Sequence, residues 1–179
     1  GYEINVPARY GVALWSALLR EGADLGVVPY GIETVLLLRL EKGYLHVGVD
    51  TDGTTCPADI GWGEVAARKQ ADFIGKRSLA RSDNLRADRL QLVGLTAANP
   101  AVLAPGAHLR LAGTREGSDG WVTSAAVSPA LGKPIALAML RGGRARFGET
   151  VAVHDLGRHC PAQVVPATFY DPEGKRLHG

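Results

Sequence analysis

The sequence predicts an α+β protein in which a mixed helix-and-strand segment precedes an antiparallel β-barrel. Two observations support this prediction. Up to residue 85, apolar residues recur mainly at helical spacing between Gly- and Pro-containing turns. Beyond that point, short strand-like runs follow one another with Gly and Pro between them, which is typical of a small all-β domain. We therefore expect two domains, residues 1–85 and residues 86–179, with the polar stretch 81–88 as the linker.

The first predicted elements are a strand and a helix. Tyr2, Ile4 and Val6 alternate with polar residues, as in a strand that is buried on one face. A helix is expected to begin after Pro7 and to end at Gly22, because the apolar residues between them recur three and four positions apart.

The next segment predicts a buried helix and several shorter elements. Residues 32–41 are apolar on nearly every side, which favours a helix surrounded by protein, and Gly43 is a typical helix end. The shorter elements are a strand beginning at residues 44–47, an acidic turn at 50–55, a helix over 57–67 and a helix that runs through 79–80.

The second half contains six strand-like runs with Gly and Pro punctuation between them. They cover residues 90–95, 108–112, 121–124, 135–140, 150–154 and 163–166. The pair Gly142–Gly143 predicts one hairpin turn, and Gly157 predicts another between His154 and His159.

The composition is that of an ordinary globular domain and excludes several classes of protein. The 179 residues are 46% hydrophobic, which is enough for a core, and the net charge is only +2. The basic residues are scattered, which argues against nucleic acid as a partner, and no apolar run reaches the roughly eighteen residues of a membrane span. The distant cysteines Cys56 and Cys160 favour a reducing, cytoplasmic location. Because the chain opens without Met or a signal sequence, we expect a longer polypeptide.

Common catalytic and cofactor-binding motifs are absent from the sequence. It contains no G-x-G-x-x-G after a strand, no G-x-x-x-x-G-K-[ST] and no G-x-S-x-G. We therefore expect no flavin or nicotinamide to be bound here by a dinucleotide fold. His154, His159 and Cys160 could together ligate a metal, but their place at a predicted hairpin favours solvated histidines, so no metal site is predicted.

Four collinear stretches resemble motifs of the glycine-cleavage T-protein (aminomethyltransferase) superfamily. The motifs are G-[FY]-E-[IV]-x-[VA]-P, L-R-L-E-x-G, D-F-I-G-[KR] and a block G-x-V-T-S…S-P-x-L…I-[AG]-[LM]-[AG]. Their counterparts here are Tyr2–Pro7, Leu38–Tyr44, Asp72–Lys76 and the stretch from Val122 to Ala138. The resemblance implies the end of a folate-binding α+β domain at residues 1–85 and a C-terminal β-barrel at residues 86–179. The superfamily's aspartate for the one-carbon chemistry would lie upstream, so no catalytic residue is expected here.

Within the superfamily, the details look like the alpha subunits of heterotetrameric sarcosine oxidases. Glu41–Tyr44, Asp50–Thr54 and Phe169–Gly174 carry this likeness. One departure agrees with it, because the transferases have a substrate-contacting arginine six residues before the helix-end glutamate, and this chain has Val35 there. The resemblance implies demethylation of sarcosine, with the one-carbon unit passed to tetrahydrofolate. It places FAD, FMN or NAD in parts of the enzyme outside this chain and implies the other oxidase subunits as partners.

The resemblance assigns three folate-binding residues, each of which has a structural alternative. Glu3 lies where the family has a glutamate that holds the pterin ring, and a carboxylate can accept two parallel N–H bonds from an aminopyrimidine edge. Its alternative is an outward-facing strand residue. Phe169 and Tyr170 lie where the family has an aromatic pair near the folate, and their alternative is a place in the core.

Two other functions stay open at this point. The first is the aminomethyltransferase of the glycine cleavage system, against which Val35 counts. The second is a folate-binding module without catalysis. Folate binding without turnover in the complete protein would identify that module, and an upstream dinucleotide-binding motif would separate oxidase from transferase.

Overall fold

The computed structural model describes residues 2–97, 103–113 and 116–178. The chain forms two compact units, Gly1–Val35 and Leu36–Gly179. The α+β class and the C-terminal barrel that the sequence predicts are both confirmed. The expected domain boundary between residues 85 and 86 stays a prediction.

The first unit contains one complete α-helix and the first turn of the next, and it has almost no buried residue. A 3-10 turn at Ala8–Tyr10 leads into helix α1, Gly11–Glu21, which ends at Gly22 as predicted. Gly22 is the only buried residue among residues 2–35. The strand expected at residues 2–6 was wrong: this segment belongs to no strand, because a strand needs a hydrogen-bonded neighbour and none of the described residues pairs with it.

Helix α2, Ile32–Lys42, begins where predicted and ends one residue later, but it does not have the predicted burial. Only Leu40 and Glu41 are buried, while Ile32 and Leu38 are more than half exposed. The apolar residues around the helix predicted that protein would cover it on all sides. In the described structure, several of these residues are exposed to solvent. Gly43 ends α2 with φ +72, and a Cβ there would lie 2.6 Å from the Ala167 carbonyl oxygen.

Short elements connect α2 to the barrel. The strand expected at residues 44–47 was wrong, since Val47 forms only an isolated bridge with Thr51. Turns occupy much of the predicted helix at 57–67, where helix α3 is confined to Gly63–Arg68. Helix α4, Lys76–Leu79, agrees with the sequence.

Six antiparallel strands close into a barrel in the order β1-β4-β3-β2-β5-β6. Every predicted run overlaps a strand, although the run 108–112 extends two residues past its strand and the run 163–166 one residue past its strand. The strands are β1 Leu90–Ala97, β2 His108–Arg110, β3 Gly120–Ser128, β4 Lys133–Arg141, β5 Thr150–Asp155 and β6 Arg158–Val165. Closure comes from pairing of β1 with both β4 and β6, so that Gly94 lies opposite Leu137 on one side and Val165 on the other.

The barrel has two apolar clusters, one inside and one on its outer face. Inward residues fill the interior, among them Val93, Leu95, Leu109, Val122, Leu140, Val151 and Val164. The outer cluster joins Leu40 of α2 to outward residues of β1 and β4, which are Leu92, Ile135, Leu137 and Met139. Strand β4 is therefore buried on both faces, which explains why its apolar residues do not alternate with polar ones.

The Gly142–Gly143 pair does not form the predicted hairpin. Strand β4 already pairs with β1 and β3, so the next strand has no free edge of β4 to join. The chain instead turns at Gly142, forms a 3-10 turn at Gly143–Arg146 and enters β5. The hairpin expected around Gly157 is confirmed between β5 and β6.

We expect Leu156→Asn to stabilise the β5–β6 hairpin. Leu156 has φ +44 beside Gly157 at φ +77, and its side chain is 95% exposed, so the leucine carries backbone strain without packing in return. Asparagine tolerates this left-handed conformation, and the gain should be about 1 kcal/mol. Urea unfolding of the variant is the measurement. Leu85→Asn, at another exposed leucine without positive φ, should change stability little; equal shifts for both variants would contradict the strain argument.

Candidate functional site

The carboxyl end of α2 holds the segment that carries the predicted aromatic pair. The backbone N–H groups of Phe169 and Tyr170 both donate to the carbonyl oxygen of Glu41, at 3.0 and 2.9 Å. The last carbonyl groups of a helix have no partner within the helix, so this pair of bonds satisfies one of them. The aromatic pair is thereby fixed to the helix end by its backbone, whatever its side chains do.

The side chains at this helix end fasten the same region. The carboxylate of Glu41 is buried and accepts hydrogen bonds from the Ser128 hydroxyl and from the Ala130 N–H. The Lys42 ammonium lies 3.0 Å from a carboxylate oxygen of Asp171, and both side chains are largely covered. The hydrogen bond from Lys42 holds the pKa of Asp171 below its ordinary value.

The ring of Phe169 packs into the outer face of the barrel. It contacts the outer cluster, and a Cβ at Gly94 would lie 2.8 Å from the ring's tip. The Tyr170 hydroxyl accepts a hydrogen bond from Arg176 at 2.7 Å. Phe169 therefore packs in the protein core, which the sequence left open as the alternative to a folate contact. A folate contact of Phe169 or Tyr170 stays a prediction.

Glu3 belongs to the first unit and its side chain is exposed to solvent. Its neighbours Tyr2 and Ile4 are exposed as well, at 101% and 54%. No described residue forms a hydrogen bond with the Glu3 carboxylate. The carboxylate is therefore accessible to a ligand, and its role in folate binding stays a prediction.

A buried ionic network is the feature that sequence reasoning missed. Asp50, interpreted as part of a simple acidic turn, has a fully buried side chain. It lies 2.5 Å from Arg39 and accepts hydrogen bonds from Ser124 and from the His46 N–H, both at 2.8 Å. Thr123 donates to the same carboxylate. The signal was the Thr-Ser pair of β3, whose hydroxyls both point at this carboxylate, but the partner lies over seventy positions earlier in the chain.

A cleft of about 380 Å³ lies beside this network, lined by both acidic and basic side chains. Arg89 lies 2.6 Å from Asp59, and Arg86 pairs with Asp83 and Asp88 at 3.0 and 2.9 Å. Most of these charges pair with one another, and Arg39 neutralises Asp50 from outside the lining. A small acidic excess remains, because the lining has five carboxylates, Asp50, Asp52, Asp59, Asp83 and Asp88, against the guanidinium groups of Arg86, Arg89 and Arg141.

Across residues 2–97, 103–113 and 116–178, no three His, Cys, Asp or Glu side chains are grouped closely enough to enclose a metal ion. Among the same residues, every helix is too short or too polar to cross a bilayer.

We expect Asp50→Asn to destabilise the second unit strongly. The substitution removes the charge that faces Arg39, whose side chain is only 14% exposed, and an unpaired buried charge costs about 3–5 kcal/mol. Urea unfolding measures the loss. Asp83→Asn is the matched control, because Asp83 forms exposed ion pairs and its loss should cost about 1 kcal/mol or less. A loss at Asp50 as small as at Asp83 would contradict a structural role for the network.

The Asp171–Lys42 pair predicts a pH dependence of stability. A carboxyl group with a lowered pKa stabilises the fold above its ordinary value of 3.8, and this contribution is lost as the pH falls through the lowered pKa. Asp171→Asn should remove that part of the pH profile, and asparagine suits the φ of +46 at this position.

Lys42→Met should flatten the same part of the profile, and the double variant should add nothing further. Thermal unfolding between about pH 2 and pH 6 is the measurement, so that the profile extends below the ordinary pKa of an aspartate. Profiles of both single variants that keep the original slope would show that the pair does not couple to folding.

Comparison with known proteins identifies both halves of the chain. Residues 1–70 match the family model "GCVT N-terminal domain", and residues 91–171 match "Glycine cleavage T-protein C-terminal barrel domain". The crystal structure of the glycine cleavage system aminomethyltransferase T from Bartonella henselae superposes with a TM-score of 0.74 at 25% identity, over 93% of this chain and 45% of that one.

Two kinds of curated protein are similar to this chain. The sarcosine oxidase subunit alpha of Rhizobium meliloti is 42% identical over 99% of this chain, and an aminomethyltransferase of Halothermothrix orenii is 33% identical over 94%. The chain spans 18% of the length of the first protein and 46% of the second. Since two models of one family together match most of the sequence, and the fold agrees, the chain belongs to the glycine-cleavage T-protein (aminomethyltransferase) superfamily.

Proposed function

We propose that this chain is the folate-side segment of a sarcosine oxidase alpha subunit, in which the one-carbon unit removed from sarcosine passes to tetrahydrofolate. The observation that carries the proposal is the level of identity. Sarcosine oxidase alpha subunits from Rhizobium meliloti and from a Corynebacterium strain are each 42% identical over 99% of the chain, whereas the aminomethyltransferases reach 33–37%. A folate-dependent one-carbon function is common to both groups in the proposal.

Val35 supports the oxidase over the transferase. It lies on α2, six positions before Glu41, where the transferases of this superfamily carry an arginine that contacts their substrate. An isopropyl group offers neither a charge nor a hydrogen-bond donor to an anionic substrate. In the proposal, this segment therefore binds folate and leaves recognition of the amine to another part of the enzyme.

Glu3 has the main folate-binding role in the proposal. Its carboxylate accepts two parallel N–H bonds from the aminopyrimidine edge of the pterin, which is a charge-assisted, geometrically specific contact. The Phe169–Tyr170 segment contributes aromatic surface, held in place by the end of α2. A flavin bound outside this chain supplies the oxidation of sarcosine, and the other oxidase subunits are the expected partners. The free thiols of Cys56 and Cys160 agree with a reducing cytoplasmic location.

Glu3→Gln in the native polypeptide should weaken tetrahydrofolate binding about ten- to a hundred-fold. The substitution keeps the size of the side chain but replaces an acceptor oxygen with an NH₂ that faces a donor, at a cost of about 1.5–3 kcal/mol. Calorimetry with tetrahydrofolate measures the affinity. Glu33→Gln is the matched control, because Glu33 is also an exposed glutamate of the first unit and should leave the affinity unchanged.

Bleaching of the flavin by sarcosine, followed separately, tests the reaction itself. Sarcosine should reduce the flavin at the same rate in the Glu3→Gln variant and in the parent protein, because the proposal places that step elsewhere. A native polypeptide that shows no sarcosine-dependent flavin reduction would instead favour the aminomethyltransferase. A variant that binds tetrahydrofolate within about two-fold of the parent would remove Glu3 from the site.

A further inference from the structure

The hairpin of β5 and β6 brings two histidines together on the outer face of the barrel. His154 lies directly opposite His159 in the strand register, and their ring centres are 5.7 Å apart with the rings inclined at 29°. Leu156 and Gly157 form the two-residue loop of this hairpin, and both have positive φ. In such a hairpin the residues next to the loop exchange hydrogen bonds, so the following pair is of the non-hydrogen-bonded type. Side chains of that type approach most closely across two strands.

The neighbouring cysteine points to the other side of the barrel wall. Cys160 packs against the interior cluster, as does Val153, its partner across the two strands. Burial raises the pKa of the Cys160 thiol, which disfavours the thiolate that a metal requires. The sequence spacing suggested His154, His159 and Cys160 as a possible group. The fold places the two imidazoles on the outer face of the barrel and the Cys160 sulfur on the inner face.

The separation of the two imidazoles matches that of a metal chelate. A zinc–nitrogen bond is about 2.0–2.1 Å long, so two imidazoles on one tetrahedral ion have ring centres about 5 Å apart. The observed 5.7 Å differs from this by less than 1 Å, and the terminal torsion of a histidine side chain has a broad minimum that lets each ring turn. Two paired strands hold the backbone on either side, so a chelate here would need little ordering of the chain.

We propose that His154 and His159 chelate one divalent transition-metal ion of the imidazole-preferring class, Zn²⁺, Ni²⁺ or Cu²⁺. Imidazole is the protein ligand that these ions share. Water completes the coordination on the solvent side, because His159 is exposed and His154 is half-buried. The site lies on the barrel wall, uses none of the proposed folate-binding residues, and does not depend on the proposed function.

Electron paramagnetic resonance of the native polypeptide with Cu²⁺, added below one equivalent, tests this site. The expected spectrum shows superhyperfine coupling to two imidazole nitrogens. His154→Gln and His159→Gln should each abolish the two-nitrogen pattern and weaken Cu²⁺ binding about ten-fold or more, because each removes the intramolecular second ligand. His178→Gln, at another exposed histidine, is the matched control and should keep both the pattern and the affinity.

Circular dichroism of each variant is the folding control. The barrel should stay intact, because the outward imidazoles are not part of its core. Two results would overturn the proposal. One is a parent protein without any two-nitrogen Cu²⁺ signal. The other is a signal that survives unchanged in both His154→Gln and His159→Gln.

Discussion

The carboxyl end of helix α2 is the point on which the second unit depends most. Glu41 there has a buried carboxyl group, and a buried polar group costs free energy unless hydrogen bonds replace those it made to water. The Ser128 hydroxyl at the end of β3 and the Ala130 N–H in the following loop provide those bonds, while the backbone carbonyl of Glu41 accepts hydrogen bonds from Phe169 and Tyr170. One residue thus joins a helix, a barrel loop and the segment after β6. The backbone of Phe169 and Tyr170, two of the proposed folate contacts, is positioned by this junction.

The barrel was predictable because its information is local. Each strand is marked locally by its apolar residues and by the Gly and Pro around it, even where protein covers both faces, as it does for β4 and for part of β1. Where the outcome depended on a distant partner, local patterns failed. Residues 2–6 alternate like a strand but have no described neighbour to pair with, and Gly142–Gly143 form a turn whose next strand finds both edges of β4 occupied. The exposed first half of α2 has the same explanation, since periodicity describes a surface and not what covers it.

The candidate sites divide along the same line. Glu3, Phe169 and Tyr170 came from resemblance to a family, because a single carboxylate or aromatic has no distinctive local pattern. Asp50 was overlooked because an acidic turn has the same sequence whether its carboxylate faces water or Arg39. The imidazole pair needed the register of β5 and β6, in which a spacing of five residues becomes direct opposition only because the loop contains two residues. Spacing alone could not distinguish that arrangement from a loop of solvated side chains.

The strand order of the closed barrel also determines when its strand pairs can form during translation. One edge of strand β1, Leu90–Ala97, pairs with β6, which ends at Val165. The first barrel strand to be synthesised therefore cannot complete its pairing until the last one has been made. During translation its second edge stays open until some seventy further residues have left the ribosome, as expected for non-local pairing that forms late. Nascent chains that stall before β6 would expose that edge to other chains. A pause in translation between the two strands would therefore prolong the time during which that edge is exposed.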